Sequence, residues 1–474
     1  MQIKNFAKIE YLTKFELTKH EGEHSRLNFA ASITDGAADK FLAFTGKNIS
    51  VTTEDNAPIF FGRVESVEVE NSFGASRVFA SCVSLSILED EEIKTRIFHN
   101  PDKKFSDVLN PARLSLKSNL KLAEDFSNLK YPPVILQNQE TNFEFMARLA
   151  KNFERRFWIS DTLPQTDFFI DSSVNKSARK IGKGQILSVR QKKVGKKFKF
   201  FVKSQKFFDV GQVVTLENIA GEFVIIGLKV SLERETYFFY YEIDEHKLPP
   251  PKIPDAPILA KTLKLHGKVK STKDPKNLGR IQISFDDKFI EDMDKKNPLW
   301  IPYRTPYTGK NGGFVFIPDE GDAVEVIFTN EEIYCVAALR ENPLNAECQK
   351  VAEKYIGNNF KQRMFFKEKS LEFFSDKYKI LMNEKGIEII VGENSITLTE
   401  QGILLKTKDS KISLSKDIAA HSDGKFELNA KDAELKSDGK LKLTANEFSA
   451  ESGGAADVKA GATLKLVGSK IELC

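Results

Sequence analysis

A mainly β chain with a small α component is predicted by three features of the sequence. Apolar and polar residues alternate through two separate stretches, about residues 1–89 and 183–245. Five short strand patterns follow a proline-rich segment. Small apolar pairs then recur at short intervals from residue 373 to the end. Alternation with period two places every second side chain on one face of a sheet, which is what a half-buried strand requires.

The bulk properties narrow the function classes. The chain has 474 residues, room for roughly three domains. Lys and Arg exceed Asp and Glu by only four, and the two signs are interspersed, so composition supports neither a nucleic-acid nor a membrane-surface partner. Cys82, Cys335, Cys348 and Cys474 are scattered without C-x-x-C spacing, and a reducing cytoplasm is expected for folding and assembly. The start "MQIKNFAKIEY" carries no apolar signal region and no run is long enough to span a bilayer, so export is expected to depend on other machinery.

The first element, residues 1–89, opens with "IEYLTKFELTK" and "RLNFAASI", both alternating. Between them lies "HEGEH", which matches the H-E-x-x-H zinc signature. That chemistry needs a helix to stack His20 and His24 on one face. Here Gly22 falls mid-motif between two strand patterns, so a hairpin turn is expected, and neither a metal nor a catalytic role is assigned.

Residues from about 90 to 160 read as mixed. Their clearest helix starts at "TNFEFMARLAKNF", where Thr141 and Glu144 make a capping box and Phe145, Met146, Leu149 and Phe153 share one face. Residues 183–245 then resemble the first stretch at an offset of 165. Without a gap, Gly46 aligns with Gly211, Phe61 with Ile226, Gly62 with Gly227 and Glu68 with Glu233, which suggests one barrel built twice within a base covering residues 1–246.

Residues 247–262, proline-rich, are expected to be an extended linker. Residues 263–343 follow, with strands in "LHGKVKSTKDPKNLGRIQISFDD" and "GGFVFIPDEGDAVEVIFTNEEIYCVAALREN", the pattern of a small OB-type barrel. A neck, 344–372, leads to residues 373–474. There Ile387/Ile389, Ile396/Leu398, Phe426/Leu428, Leu441/Leu443 and Leu464/Leu466 recur about seven to nine residues apart. One chain offers too few inward side chains there to enclose a core. Three intertwined copies forming a triangular β-prism, with Leu428, Leu443 and Leu466 toward the axis, are the expected solution.

In this order the modules resemble the VgrG spike proteins of type VI secretion, relatives of the central spikes of contractile phage tails. The resemblance is carried by "NQETNFEFMARLAKNFERRFWI", with Asn142 where aspartate is common, by "DPKNLGRIQISF", and by "PLWIPYRTPYTGKNGGFVFIPDEGDAVEVIF". It implies a non-enzymatic homotrimeric spike that caps a hexameric Hcp-like inner tube and meets baseplate proteins. Such a spike punctures a target membrane, carries a PAAR-like tip cap and effectors, and is secreted into the target cell or medium. The cap would dock on Lys470, Ile471, Glu472, Leu473 and Cys474; no cofactor, metal or nucleic acid is implied. A phage or bacteriocin spike is the alternative. A secreted hydrolase would need a cleft domain for which no segment is left over, and Asp286, Asp287, Glu291, Asp292 and Asp294 read as a solvated acidic loop.

Overall fold

The computed structural model describes residues 1–34, 38–72, 75–100, 102–130, 132, 134–172, 177–195, 197–217, 219–246, 259–286, 290–293, 299–309, 312–340, 353–400, 402–406 and 421–472. The chain forms two compact units, Met1–Pro343 and Leu344–Cys474. The stretch 247–258, most of the expected linker, lies outside the described residues.

The first unit begins with β1 (Gln2–Lys4), β2 (Tyr11–His20), β3 (Arg26–Ile33), α1 (Ala38–Leu42), β4 (Asn48–Thr52), β5 (Pro58–Ser72) and β6 (Ala75–Ser84). An insertion follows: β7 (Lys94–His99), α2 (Phe105–Val108), α3 (Pro111–Leu114), β8 (Asn119–Leu122), α4 (Glu124–Ser127), β9 (Ile135–Glu140), α5 (Asn142–Asn152), β10 (Phe157–Ser160) and β11 (Asp167–Ile170). A second module holds β12 (Arg179–Ile181), β13 (Ile186–Val194), β14 (Lys197–Ser204), β15 (Val213–Leu216), β16 (Ile219–Glu233) and β17 (Thr236–Glu245). Both modules belong to one twelve-stranded sheet, in the order β1-β4-β5-β6-β3-β2-β16-β17-β14-β13, with β15 beside β16 and β12 beside β15. Alternation has its expected effect. Phe15, Leu17, Leu27 and Phe29 of one module and Val202, Leu228, Val230 and Tyr241 of the other point into a single shared core.

The internal repeat is present in the backbone, but its register is not gap-free. Gly46 and Gly211 both adopt φ of 81°, a left-handed conformation that glycine enters without steric cost. The Gly46 amide donates to the Val64 carbonyl at 2.9 Å and the Gly211 amide to the Ile225 carbonyl at 2.8 Å. A bulge follows Val64 on β5 and Ile225 on β16. The offset therefore falls from 165 (Gly46 to Gly211) to 161 (Val64 to Ile225), because β15 and β16 are joined by a shorter turn than β4 and β5. This overturns the expected pairing of Gly62 with Gly227: Gly62 takes the place of Phe223, and Gly227 that of Ser66. The two glycines answer separate needs. A Cβ on Gly62 would lie 2.3 Å from the Val83 carbonyl oxygen, and one on Gly227 would lie 3.0 Å from the His20 ring.

In the insertion, α5 begins with the expected capping box: Thr141 accepts from the Glu144 amide and Glu144 accepts from the Thr141 amide. Phe145, Met146, Leu149 and Phe153 are fully buried in its core. The OB region contains β18 (Leu263–Ser271), β19 (Arg280–Ser284), β20 (Ile290–Met293), β21 (Trp300–Pro302), the small β22 (Thr308–Gly309) and β23 (Gly312–Gly313), β24 (Ala323–Phe328) and β25 (Ile333–Leu339). Five of these form the sheet β21-β19-β18-β24-β25. A parallel bridge from Tyr303 to Cys335 brings its ends together. Asp274 clamps the β18–β19 turn, accepting from Arg280 Nη2 at 2.7 Å and from the amides of Lys276 and Leu278. Glu291 and Asp292, expected in a solvated loop, instead lie on β20, which pairs parallel with β7; Asp287 and Asp294 lie outside the described residues.

The second unit departs from the uniform prism expected from residue 373. Its seven strands are β26 (Lys354–Gly357), β27 (Arg363–Lys367), β28 (Ser370–Ser375), β29 (Tyr378–Asn383), β30 (Gly386–Val391), β31 (Asn394–Thr399) and β32 (Gly402–Lys406). They form one antiparallel meander, each strand bonded to the next in sequence. Residues 354–372, expected as a neck, thus share a sheet with 373–406. Short turns such as Glu384-Lys385 and Gly392-Glu393 fold the chain straight back on itself, so backbone groups are satisfied within one chain. Residues 421–472 carry no strand pairing to other described residues of this chain.

Candidate assembly surfaces

The His20–His24 segment is a hairpin turn between β2 and β3. Gly22 sits at φ 75° and its amide donates to the Phe157 carbonyl at 2.7 Å, while the Glu21 amide donates to Ile226 at 2.8 Å. The two histidines diverge. His20 Nε2 lies 3.7 Å from Glu242, whereas His24 bonds Ser86 Oγ at 2.6 Å through Nδ1 and Asp90 at 2.7 Å through Nε2, with its ring over Phe143. Burial alone raises the Asp90 carboxyl, but hydrogen bonds from His24 and Thr141 outweigh it and hold the group below its ordinary value. The turn thus locks the first module onto the insertion.

Next to that turn sits a buried ionic cluster that sequence reading missed. Lys19 Nζ pairs with Asp161, and with Asp209 at 3.0 Å; all three side chains are nearly inaccessible. The three come from β2, from the loop after β10 and from the loop before β15. Burial opposes the charge on Lys19, yet the two carboxylates prevail and keep its pKa above the ordinary lysine value. Burial pushes the Asp209 carboxyl up, with Lys19 offsetting only part of the effect. One signal was available: in "FELTK" Lys19 shares the period-two face of Phe15 and Leu17, both buried.

On the meander, cross-strand register builds two apolar ladders on one face. Met364, Phe373, Ile380, Ile389, Ile396 and Leu405 face one another in succession, and so do Phe366, Leu371, Met382, Ile387 and Leu398. The opposite face carries Lys367 and Lys379 on Glu372, at 3.0 and 3.5 Å. Burial raises the Glu372 carboxyl, but the two ammonium groups overcome that and lower it. The sheet therefore has one apolar face and one mixed face, on which Glu372 and its lysines stand beside Phe365, Leu381 and Ile390, and the apolar ladders stay partly open to solvent, with Ile380 39% and Ile389 36% accessible. A sheet with an apolar face is stable when something covers it.

Among the residues expected at an axis, Leu428, Leu443 and Leu466 are 69%, 64% and 59% accessible, so the described residues leave them largely exposed. At the expected tip, Lys470 pairs with Glu472 and Ile471 is exposed; Leu473 and Cys474 lie outside the described residues.

Residues 265–336 match the family described as the type VI secretion system/phage-baseplate injector OB domain. Among curated proteins none matches the sequence. Several solved structures are similar. One is the E. coli c3393 protein, described as a component of the type VI secretion system with structural similarity to the T4 bacteriophage tail proteins gp27 and gp5. It aligns with a TM-score of 0.50 at 12% identity, over 72% of this chain and 99% of that one. A lidless PdpA–VgrG complex aligns with a TM-score of 0.53 at 10% identity, over 83% of this chain and 93% of that one. The half-lidded Francisella PdpA–VgrG complex gives 0.50 at 10% identity, over 83% of each chain. The fold is that of a VgrG-like, phage-tail-related spike, mainly β and with an OB domain.

Proposed function

We propose that this chain is the homotrimeric spike of a contractile injection apparatus of the type VI kind, in which unit one is the hub on an Hcp-like tube ring and unit two is the puncturing needle. The observation that carries this reading is the uncovered apolar surface of unit two. The meander offers one face of exposed apolar ladders, and the stretch 421–472 exposes Phe426, Leu428, Leu441, Leu443, Leu464 and Leu466. Three copies can cover these surfaces by turning the meander faces inward and winding 421–472 into a prism that shares axial load among three backbones. Work on the target is mechanical, without an enzymatic step. A PAAR-like cap seats on Lys470 to Cys474, and the assembled particle carries effectors out of the cytoplasm.

The test is oligomeric mass and shape, measured by light scattering and negative-stain microscopy on the full chain. An elongated trimer is expected. Leu443→Asp brings three carboxylates together at the axis, where each buried ion costs several kcal/mol, and is expected to abolish the trimer or its resistance to detergent. Lys442→Asp, one position along and so on the other face, is expected to leave it intact. A compact monomer, or identical behaviour of the two variants, refutes the reading.

A further inference from the structure

Among the described residues, the two modules of unit one meet through a single strand pairing, and the partners of that pairing recur at two other edges without a strand beside them. Within the first module one cross-strand row runs Ser66, Ser81, Asn28, Glu16. In the second it runs Gly227, Glu242, Phe201, Arg190. Ser66 and Gly227 each follow the module's bulge, so the rows are equivalent. The modules join because Gly227 of β16 pairs with His20 of β2, antiparallel, and the register continues through Lys229 with Thr18 and Ser231 with Glu16. The second module's counterpart of β2 is β13, which pairs, among the described residues, with β14 alone. The first module's counterpart of β16 is β5, whose length beyond Val64 pairs, among the described residues, with β6 alone.

We propose that β13 of one copy adds, antiparallel, to the free length of β5 on the next copy, in the register that β2 already makes with β16. The proposal rests on the oligomer reading above and specifies how its hub closes. Transferring the register sets Ser66 opposite Val194 of the neighbour, Glu68 opposite Lys192 and Glu70 opposite Arg190. Charge agrees with this assignment. The free length of β5 exposes Glu68 and Glu70, and β13 exposes Arg190, Lys192 and Lys193. At the existing junction Lys229 reaches diagonally to Glu16 at 2.9 Å; in the new one Glu68 and Arg190 occupy those two places with the signs exchanged. Long uncovered edges are templates for strand addition. Because the two surfaces differ, the contact is heterologous and either closes into a ring or runs on as a fibre. Three copies close it with six modules.

The test is a disulfide scan of the full chain with Cys348 and Cys474 replaced by serine. Residues directly opposite on paired strands have Cβ atoms about 4.5–5.5 Å apart, close enough for a small adjustment to bring cysteines there into bonding distance. Glu70→Cys combined with Arg190→Cys is expected to give covalent dimers and trimers on non-reducing gels. Glu70→Cys combined with Lys193→Cys, on the opposite face, is expected to stay monomeric, as are the single variants. Glu68→Lys with Glu70→Lys is expected to weaken assembly at least tenfold, and adding Arg190→Glu with Lys192→Glu to restore it. A trimer by light scattering in which Glu70 and Arg190 do not crosslink overturns the edge pairing and leaves the spike reading standing. Cross-linking to the tube protein instead overturns the assignment of the partner. A protein that is monomeric in every background overturns both.

Discussion

Replacing Lys19 by methionine removes the cation that pairs with two carboxylates, Asp161 and Asp209, kept out of water. The methionine fills most of the same volume, so the loss is chiefly electrostatic. Breaking a buried ion pair by removing one partner costs about 3–5 kcal/mol. The pH dependence is the sharper signature. Lys19 has a raised folded pKa, so its contribution is fully present below the ordinary lysine value and is lost only as pH rises through the folded one. Asp209 also has a raised folded pKa. For an acid this means that the folded state binds more protons than the unfolded one, and stability falls as pH rises from the ordinary carboxylate value through the folded value. Without Lys19 that window extends further upward. The variant is therefore expected to lie about 3–5 kcal/mol below the parent at pH 8 and to recover part of the gap by pH 5.5. Urea unfolding followed by tryptophan fluorescence reads this, since both tryptophans, Trp158 and Trp300, belong to unit one. Lys229→Met, which loses an exposed pair with Glu16, is the control, expected to cost less than about 1 kcal/mol. A deficit for Lys19→Met no larger than the control, or one independent of pH, refutes the assignment.

Two more outcomes follow from local geometry. Gly46→Ala and Gly211→Ala incur the same left-handed strain of about 1–2 kcal/mol, but only at Gly211 does the new Cβ meet the Trp158 ring, at 2.7 Å. Overpacking adds about 1–3 kcal/mol, so Gly211→Ala is expected to show the lower urea midpoint, and equal midpoints would contradict the packing described. The thiols of Cys82 and Cys335 are pushed up by burial, to about 12 and about 11. For Cys82 this cuts the thiolate fraction near pH 8 roughly a thousandfold against a free thiol. At most two of the four cysteines are expected to react with a thiol reagent in the native protein and all four in denaturant; rapid labelling of Cys82 or Cys335 in the native state counts against this packing.

In the base, what could be read ahead of the structure was whatever a local periodicity encodes. Thr141 and Glu144 announced α5, and Phe15, Leu17, Leu27 and Phe29 announced a buried face. The repeat was visible through Gly46 and Gly211, whose φ is fixed by the turn they make. The slip from 165 to 161 was hidden because Gly62 and Gly227, each required by a different close approach, happen to stand 165 apart. The joining of the modules into one sheet rests on Gly227 meeting His20, a contact between strands about two hundred residues apart that no local period records.

Unit two shows where periodicity stops being informative. An apolar pair on a short strand followed by a tight turn reads the same whether the next strand folds back on its own chain or passes to a neighbour. Ile389 meets Ile396 within one chain, while Leu428 and Leu443 meet no strand among the described residues, and both come from the same kind of apolar pair. What differs is the opposite face. In the meander, Glu372 is held between Lys367 and Lys379 from the neighbouring strands of its own chain, and Phe365 lies buried beside them. Both faces of β28 thus find partners in sequence, which favours folding back. Beyond residue 421 the ionic contacts are made between residues two apart, Lys425 with Glu427, Lys459 with Asp457 and Lys470 with Glu472. Side chains two apart on extended chain share a face, so these pairs tie the segment to itself and leave apolar neighbours such as Phe426, Leu428 and Ile471 exposed. The reach of the ion pairs, across strands or along one, was the available signal for where the self-sufficient meander ends.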